Sequence, residues 1–232
     1  MVEISIMVFA AGFGKRMGKL TQGRPKPLVE VCGIPLIDHG LALVEEIDRS
    51  HVIINAHYKY EMLQAHVSGK SIKISYELPD LLDTGGGLKA ALPMLKTNPV
   101  ITLNSDAIWA GTNPLQELID HWDSSRMDGL LLCIPPSQKY GHSGLGDFSI
   151  DEQGHLSRQG NYVYSGAQII KTDLLMQIQD KVFSINRLWD ALLERNTLFG
   201  MVYSGLWCDV GTPEGIKEAE NMILKKIKPS NV

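Results

Sequence analysis

The sequence predicts an α/β fold in one domain, a mostly parallel, mixed sheet flanked by helices on both faces. Two observations predict it. Short apolar runs alternate with helical patterns through the first half, and the first of those runs, Ile4 to Phe9, leads straight into a glycine-rich turn loaded with cations. A chain of 232 residues, 44% hydrophobic and 21% charged, is long enough for one substantial core.

The first element is a strand near 3–9. The turn after it reads Ala10-Ala11-Gly12-Phe13-Gly14-Lys15-Arg16-Met17, which offers open backbone N–H donors at the glycines and fixed positive charge beside them, the needs of a polyphosphate. A dinucleotide-binding turn would require a third glycine where Met17 stands, and a Walker A loop would require Gly-Lys-Ser/Thr beginning there; both patterns fail. Cations inside the turn favour a nucleoside triphosphate. Pro25 and Pro27 brace Lys26 on either side, which lowers the entropy lost when its ammonium is fixed on a phosphate. A plain strand-to-helix turn with solvated Lys and Arg side chains is the competing reading.

The next elements follow the same alternation. Helices are expected near 36–47, 59–67, 86–95 and 113–122, with strands near 51–55, 72–76, 99–103 and 129–134. On such a sheet, ligands bind beyond the carboxyl ends of the strands, so loops 10–28, 77–87 and 104–112 should meet at one edge. Asp83-Thr84-Gly85-Gly86-Gly87 is expected to be a loop opening the third helix, and three glycines there predict close backbone approach to a ligand. Glu77 could meet a base edge or be a solvated loop glutamate. Asp106 ends the apolar run Val100 to Leu103 and stands as either a metal ligand or a turn aspartate.

From residue 135 the pattern changes. Pro135-Pro136 opens a loop, Gly141 to Gly146 holds three glycines, and Phe148 to Ile150 and Tyr162 to Ile170 read as sheet with a turn at Asp151 to Gly154. Helices resume near 185–195 and 213–226, the last with Thr212 as N-cap and Pro213 in its first turn. Asp209 precedes that helix. With Asp106 it could supply two carboxylates for one Mg²⁺, which takes one or two plus phosphate oxygens and water.

Composition removes several classes. A formal charge of −4 argues against a nucleic-acid partner, and no stretch approaches the roughly 18 apolar residues of a membrane span. Cys32, Cys133 and Cys208 lack metal-ligand spacing and fit reduced thiols in the cytoplasm. The seven histidines are scattered and read as structural. No Gly-x-Ser-x-Gly elbow supports a serine hydrolase.

Gly12-Phe13-Gly14-Lys15-Arg16-Met17 with Pro25-Lys26-Pro27-Leu28 resembles the signature of the sugar-1-phosphate nucleotidylyltransferases. The likeness extends through Asp83 to Gly87, Leu103 to Asp106, Gly144 to Phe148, Tyr164 to Gly166 and Trp207 to Pro213. Within that family the chain is most similar to the N-acetylmuramate α-1-phosphate uridylyltransferases of cell-wall peptidoglycan recycling. The resemblance implies a Rossmann-like nucleotide-diphospho-sugar transferase fold, with a nucleotide-binding half at 1–134 and a sugar-phosphate-binding half at 135–232. It implies UMP transfer from UTP to N-acetylmuramate 1-phosphate with Mg²⁺, by a monomer or homodimer. Arg16 and Lys26 would be catalytic, and Asp106 and Asp209 would hold the metal. Ala10, Ala11, Gly12, Gly14, Lys26, Gly85 and Gly86 would contact the nucleotide, while Asn104, Gly146, Ser165 and Gly166 would face the sugar.

Two departures from the family pattern bear on these expectations. Ser105 stands where many relatives carry glycine before the metal ligand, and the Glu-Lys-Pro segment that many hexose-1-phosphate relatives use is absent, leaving Arg158 as the nearby cation. Guanylyl or cytidylyl transfer to mannose 1-phosphate or another sugar or alcohol phosphate, and a sugar-nucleotide-binding protein without catalysis, stand as alternatives.

Overall fold

The computed structural model describes residues 4–227. Strand β1 (Ser5–Phe9) is flanked in parallel by β4 (Val52–Ala56) and β6 (Val100–Asn104), and β5 (Ile72–Tyr76) adds in parallel beyond β4. Glu3, the first residue of the strand expected at 3–9, lies outside the described residues. Two short strands, β2 (Glu30–Val31) and β3 (Ile34–Pro35), form a hairpin after the glycine loop. Helices α1 (Leu36–Glu45), α2 (Tyr60–His66) and α3 (Asp83–Leu95) make the crossovers that parallel strands require.

The central strands β1, β4 and β6 are largely apolar on both faces because both faces are covered, whereas the edge strand β5 alternates. Along β1, Ile6 and Val8 join one core with Leu41 and Val44 of α1 and Leu63 of α2. Met7 points the other way, into a second core with Leu88, Ala91 and Leu95 of α3. The period of two thus places the same strand in two cores.

The second half completes the sheet rather than forming a separate one. After β7 (Ala107–Ala110) and α4 (Pro114–His121) come β8 (Gly129–Ile134), β9 (Lys139–Tyr140), β10 (Phe148–Ile150), β11 (Leu156–Arg158) and β12 (Val163–Ile170). Helix α5 (Asn186–Glu194), β13 (Leu198–Val202), β14 (Leu206–Asp209) and α6 (Pro213–Ile227) follow. The sheet order is β13-β8-β12-β6-β1-β4-β5, with β12 antiparallel to both of its neighbours and the remaining pairs parallel. Strand β12 is bulged between Tyr164 and Gln168.

Three expectations are corrected. Segment 104–112 is not all loop: residues 107–110 form β7, which pairs with the distant β14 in a three-stranded sheet closed by β9. Residues 198–202, not expected as a strand, are β13. Gly85 to Gly87 do not lie in a loop but in the first turn of α3, all buried. At α6, Thr212 Oγ1 accepts from Gly215 N at 3.3 Å, as its capping role predicts. A third core, including Met17, Val31, Ile108, Val210 and Met222, joins α6 to the three-stranded sheet.

Candidate active site

The glycine loop leaves β1 and folds back on its own continuation. Gly14 has φ of +63°, and a Cβ there would stand 2.8 Å from Lys26 Cβ, so this position requires glycine. Thr21 Oγ1 donates to Gly14 O at 3.1 Å and pins the turn. Gly12 has nothing within 4 Å of its Cβ position, which leaves open backbone. Loop 10–16, Lys26, Asn55, Glu77, Leu81, Asp83, Thr84, Asn104, Asp106 and Gly211 enclose a cavity of about 510 Å³.

Lys26 Nζ lies 2.6 Å from Asp106 Oδ2, with the two side chains 12% and 30% exposed. Asp106 is aimed by the turn leaving β6. Ser105 fits this turn by using its side chain: the hydroxyl donates to Phe9 O at 2.7 Å, and Ser105 N also reaches Phe9 O. Asp209 arrives from the far end of the chain through the β7–β14 ladder, where it is the register partner of Ala107 and Val210 N donates to Asp106 O at 2.8 Å. Backbone pairing therefore sets the two carboxylates side by side. Burial, then the Asp106 charge, hold the Asp209 carboxyl above its ordinary range, with Lys26, Arg16 and His142 pulling the other way. Arg16 lies against Gly211, whose Cβ position is 2.9 Å from both terminal guanidinium nitrogens.

The residues expected at the site separate into groups. Ala10, Ala11, Gly12, Gly14, Arg16, Lys26, Asn104 and Asp106 line the one cavity. Gly85 and Gly86 approach their own chain closely: both N–H groups donate to Phe183 O at 3.0 Å, and side chains there would run into Phe183 and Lys181 O. Gly166, with φ of +90°, sits in the bulge of β12 directly under Asn104, whose Cβ is 2.8 Å from its Cβ position. Ser165 is buried, its hydroxyl accepting from Ala167 N and its carbonyl from Trp207 Nε1. Gly146 packs on Gly160 and Asn161. Arg158 is held by Asp190 at 2.6 Å and stacks over Phe148 and Trp189.

Asn55 and His142 were not singled out from sequence as site residues, and Glu77 was read as either a base contact or a solvated loop glutamate. Asn55 Oδ1 accepts from Ala10 N at 2.7 Å, while Asn55 Nδ2 donates to Glu77 Oε1 at 2.7 Å. Glu77 is not a solvated glutamate; it is 1% exposed, and its Oε2 accepts from Leu82 N. Gly87 is the room this carboxylate needs, since a Cβ there would overlap Glu77 Oε1. The signal available in the sequence was a polar residue at the carboxyl end of each of two apolar strands. His142, read as structural, has Nδ1 3.6 Å from Asp209 Oδ2.

Asp106 and Asp209 make a donor set suited to one hard divalent cation, because each carboxylate raises the cost of ionising the other and a positive charge between them removes it. Among the described residues no group of three or more His, Cys, Asp or Glu is placed to hold a metal. Burial pushes the Cys133 thiol up and the Cys208 thiol to about 12, so neither offers a thiolate. Among the described residues no helix is long and apolar enough to cross a membrane.

Residues 6–145, more than half of the chain, match the model of the MobA-like NTP transferase domain. The chain belongs to that family. This MobA-like NTP transferase is 34% identical to the N-acetylmuramate alpha-1-phosphate uridylyltransferase of Caulobacter vibrioides, over 92% of this chain and 94% of that one. It is 28% identical to the mannose-1-phosphate guanylyltransferase catalytic subunit beta of Xenopus tropicalis, over 96% of this chain and 65% of the relative. Its fold superposes on the crystal structure of HddC from Yersinia pseudotuberculosis complexed with GMP-PN, with a TM-score of 0.76 at 21% identity, covering 95% of this chain and 99% of that one. The fold is that of the nucleotide-diphospho-sugar transferases, and this NTP transferase is a sugar-1-phosphate nucleotidyltransferase.

Proposed function

We propose that the protein transfers UMP from UTP to N-acetylmuramate 1-phosphate, giving the UDP-sugar and pyrophosphate in peptidoglycan recycling in the cytoplasm. The observation that carries the chemistry is the meeting of Lys26, Asp106 and Asp209 beside a cavity rimmed by the cationic glycine loop. The identity with the Caulobacter relative supports the choice of sugar and base.

In this reading residues 1–134 hold the nucleotide and residues 135–232 hold the acceptor. An oxygen of the sugar phosphate attacks the α-phosphorus; the new P–O bond forms as the bond to the pyrophosphate oxygen breaks, and the electron pair leaves with pyrophosphate. The glycine loop and Arg16 hold the departing phosphates through backbone N–H donors and guanidinium charge. Lys26, kept rigid by two prolines and by Asp106, offsets charge developing at the α-phosphate. Asp106 and Asp209 would hold Mg²⁺, which supplies charge screening for two anionic substrates. No general base is needed, because the acceptor phosphate is already anionic at pH 7. Positioning of the two substrates can itself contribute roughly 7 to 11 kcal/mol.

Pyrophosphate release measured with each of the four nucleoside triphosphates against a panel of sugar 1-phosphates tests this reading. Turnover is expected with UTP and N-acetylmuramate 1-phosphate. Turnover with GTP and mannose 1-phosphate alone would establish the second reading, which the Xenopus relative favours. Tight sugar-nucleotide binding with no pyrophosphate from any pair would leave a binding protein.

A further inference from the structure

We propose that Asn55 and Glu77 are positioning residues for the nucleotide, joining the glycine loop to segment 81–84 so that these two linings of the cavity keep one spacing. The inference rests on the reading of this cavity as the nucleotide site and adds what sets its width.

Both residues line the cavity and yet are buried, Asn55 at 3% and Glu77 at 1% exposed. Asn55 lies at the carboxyl end of β4, the neighbour of β1, and Glu77 follows directly on β5. Ala10 N can only donate, so the Asn55 atom facing it is Oδ1, and Nδ2 is turned to Glu77 Oε1, both at 2.7 Å. Glu77 Oε2 then accepts from Leu82 N, also at 2.7 Å. This run of three bonds starts where the glycine loop leaves β1 and ends where α3 begins, between Leu81 on one side and Asp83 and Thr84 on the other, all three of which line the cavity. A second tie leaves the same residue. Glu77 O accepts from His57 Nδ1 at 2.7 Å, and Phe13 of the glycine loop meets the His57 ring edge-on with centroids 5.2 Å apart. Glu77 therefore holds the loop at its first residue and again at Phe13.

A carboxylate is a costly brace, because burying a charge without a counter-charge is unfavourable. Among the described residues no ion pair includes Glu77. What the carboxylate supplies is two acceptors a fixed distance apart, each turned to a donor from a different segment of the cavity lining. Both oxygens accept protein donors, which assigns Glu77 to spacing rather than to contact with a base.

The polarity of this network provides the test. Glu77→Gln sets an amide N–H₂ against Asn55 Nδ2, and Asn55→Asp sets two carboxylates face to face, so each single change breaks a join. In the double variant the new carboxylate at position 55 accepts from Ala10 N and from the new amide at position 77, whose oxygen accepts from Leu82 N; every join returns with the middle bond reversed. The four nucleoside triphosphates, each with Mg²⁺, are titrated by calorimetry, and the melting temperature of every variant is recorded. We expect each single variant to raise the Kd of the preferred nucleotide about tenfold, the worth of one hydrogen bond, and the double variant to return it to within about threefold of wild type. Unchanged Kd values in the single variants, with only the melting temperature lowered, would overturn the assignment and leave a brace for the fold alone. A weakening that persists in the double variant would overturn it too, since Glu77 would then touch the base itself. Should the single variants fail to fold, the double decides alone, a wild-type Kd supporting the proposal and a raised one overturning it. Wild-type binding without pyrophosphate release from any sugar 1-phosphate would overturn the transfer reaction and leave the positioning role standing, whereas binding of none of the four nucleotides would overturn both.

Discussion

The two walls that flank the Asp106–Asp209 pair are built in different ways. On the side proposed for the nucleotide, Ala10, Asn55, Glu77 and Leu82 lie on or just beyond three adjacent parallel strands, and bonds of 2.7 Å join each to the next in the interior. On the side proposed for the acceptor, residues 141–147 make an arch. One foot is tied by Gly141 N donating to Glu218 Oε2 and the crown carries Leu145, 92% exposed. The first wall is fixed by the sheet, and the second is carried by a loop. Groups that must be placed to a fraction of an ångström belong on the first kind of support, whereas groups that distinguish one sugar from another can be carried on the second.

The strongest way to break this contrast is to remove a reacting group. Asp106→Asn should lower the rate of pyrophosphate release by a factor on the order of 10² to 10³ or more, and Lys26→Ala by a similar factor, since both act on charge that develops in the reaction. Near-normal rates in both variants would show that the chemistry sits elsewhere.

Next in size is a paired comparison of the two walls. Glu77→Ala leaves Asn55 Nδ2 and Leu82 N without acceptors in a buried place and should cost about 1–3 kcal/mol in urea unfolding. Leu145→Ala, at the crown of the arch, should stay within about 0.5 kcal/mol of wild type. Equal losses would erase the distinction drawn here.

A smaller effect concerns Asp209 in metal-free protein. Burial and the Asp106 charge raise its folded-state pKa, so its ionised form weakens the fold above that raised value, and the penalty is absent once pH falls below the ordinary carboxylate range of about 4. Asp209→Asn should therefore unfold at a higher temperature than wild type at pH 7, by about 2 to 4 °C if the gain is near 1 kcal/mol. The advantage should shrink as pH falls toward 4. A lower Tm at pH 7 would mean that the attractions of Lys26, Arg16 and His142 outweigh burial and repulsion.

The smallest expected change is at Arg158. Its pair with Asp190 is largely exposed, so Arg158→Ala should cost no more than about 1 kcal/mol and leave the KM for the sugar phosphate unaltered. A tenfold rise in that KM would return this arginine to the acceptor site.

Legibility in the sequence follows the same division. The parallel strands 52–56 and 100–104 were readable to within a residue or so, because runs covered on both faces are largely apolar and end abruptly, and the edge strand 72–76 was readable from its alternating pattern. Lys26 and Asp106 could be paired in thought from a braced cation and a strand-end carboxylate. Strand β7 could not be read, since its partner β14 lies a hundred residues away and four residues carry little pattern of their own. The three glycines of α3 pointed to close backbone approach, and their Cβ positions meet Phe183, Lys181 and Glu77; no local signal tells a protein neighbour from a substrate. His142 was lost among seven histidines because what distinguishes it is a contact made across the β14 strand.

Ile134 and Val163 are register partners in the β8–β12 ladder. The segment between them, residues 135–162, leaves the β8–β12 ladder and returns to it at one doorway, touching the large sheet again where His155 bridges to Phe199 of β13. A segment with neighbouring ends can be lengthened or exchanged at a cost that grows only with the logarithm of its length, about 0.6 kcal/mol for each doubling. The arch bearing His142 and Leu145 is in this sense a cassette: a family built on this sheet can take up a new sugar by recutting one panel, with the frame that performs the transfer left standing.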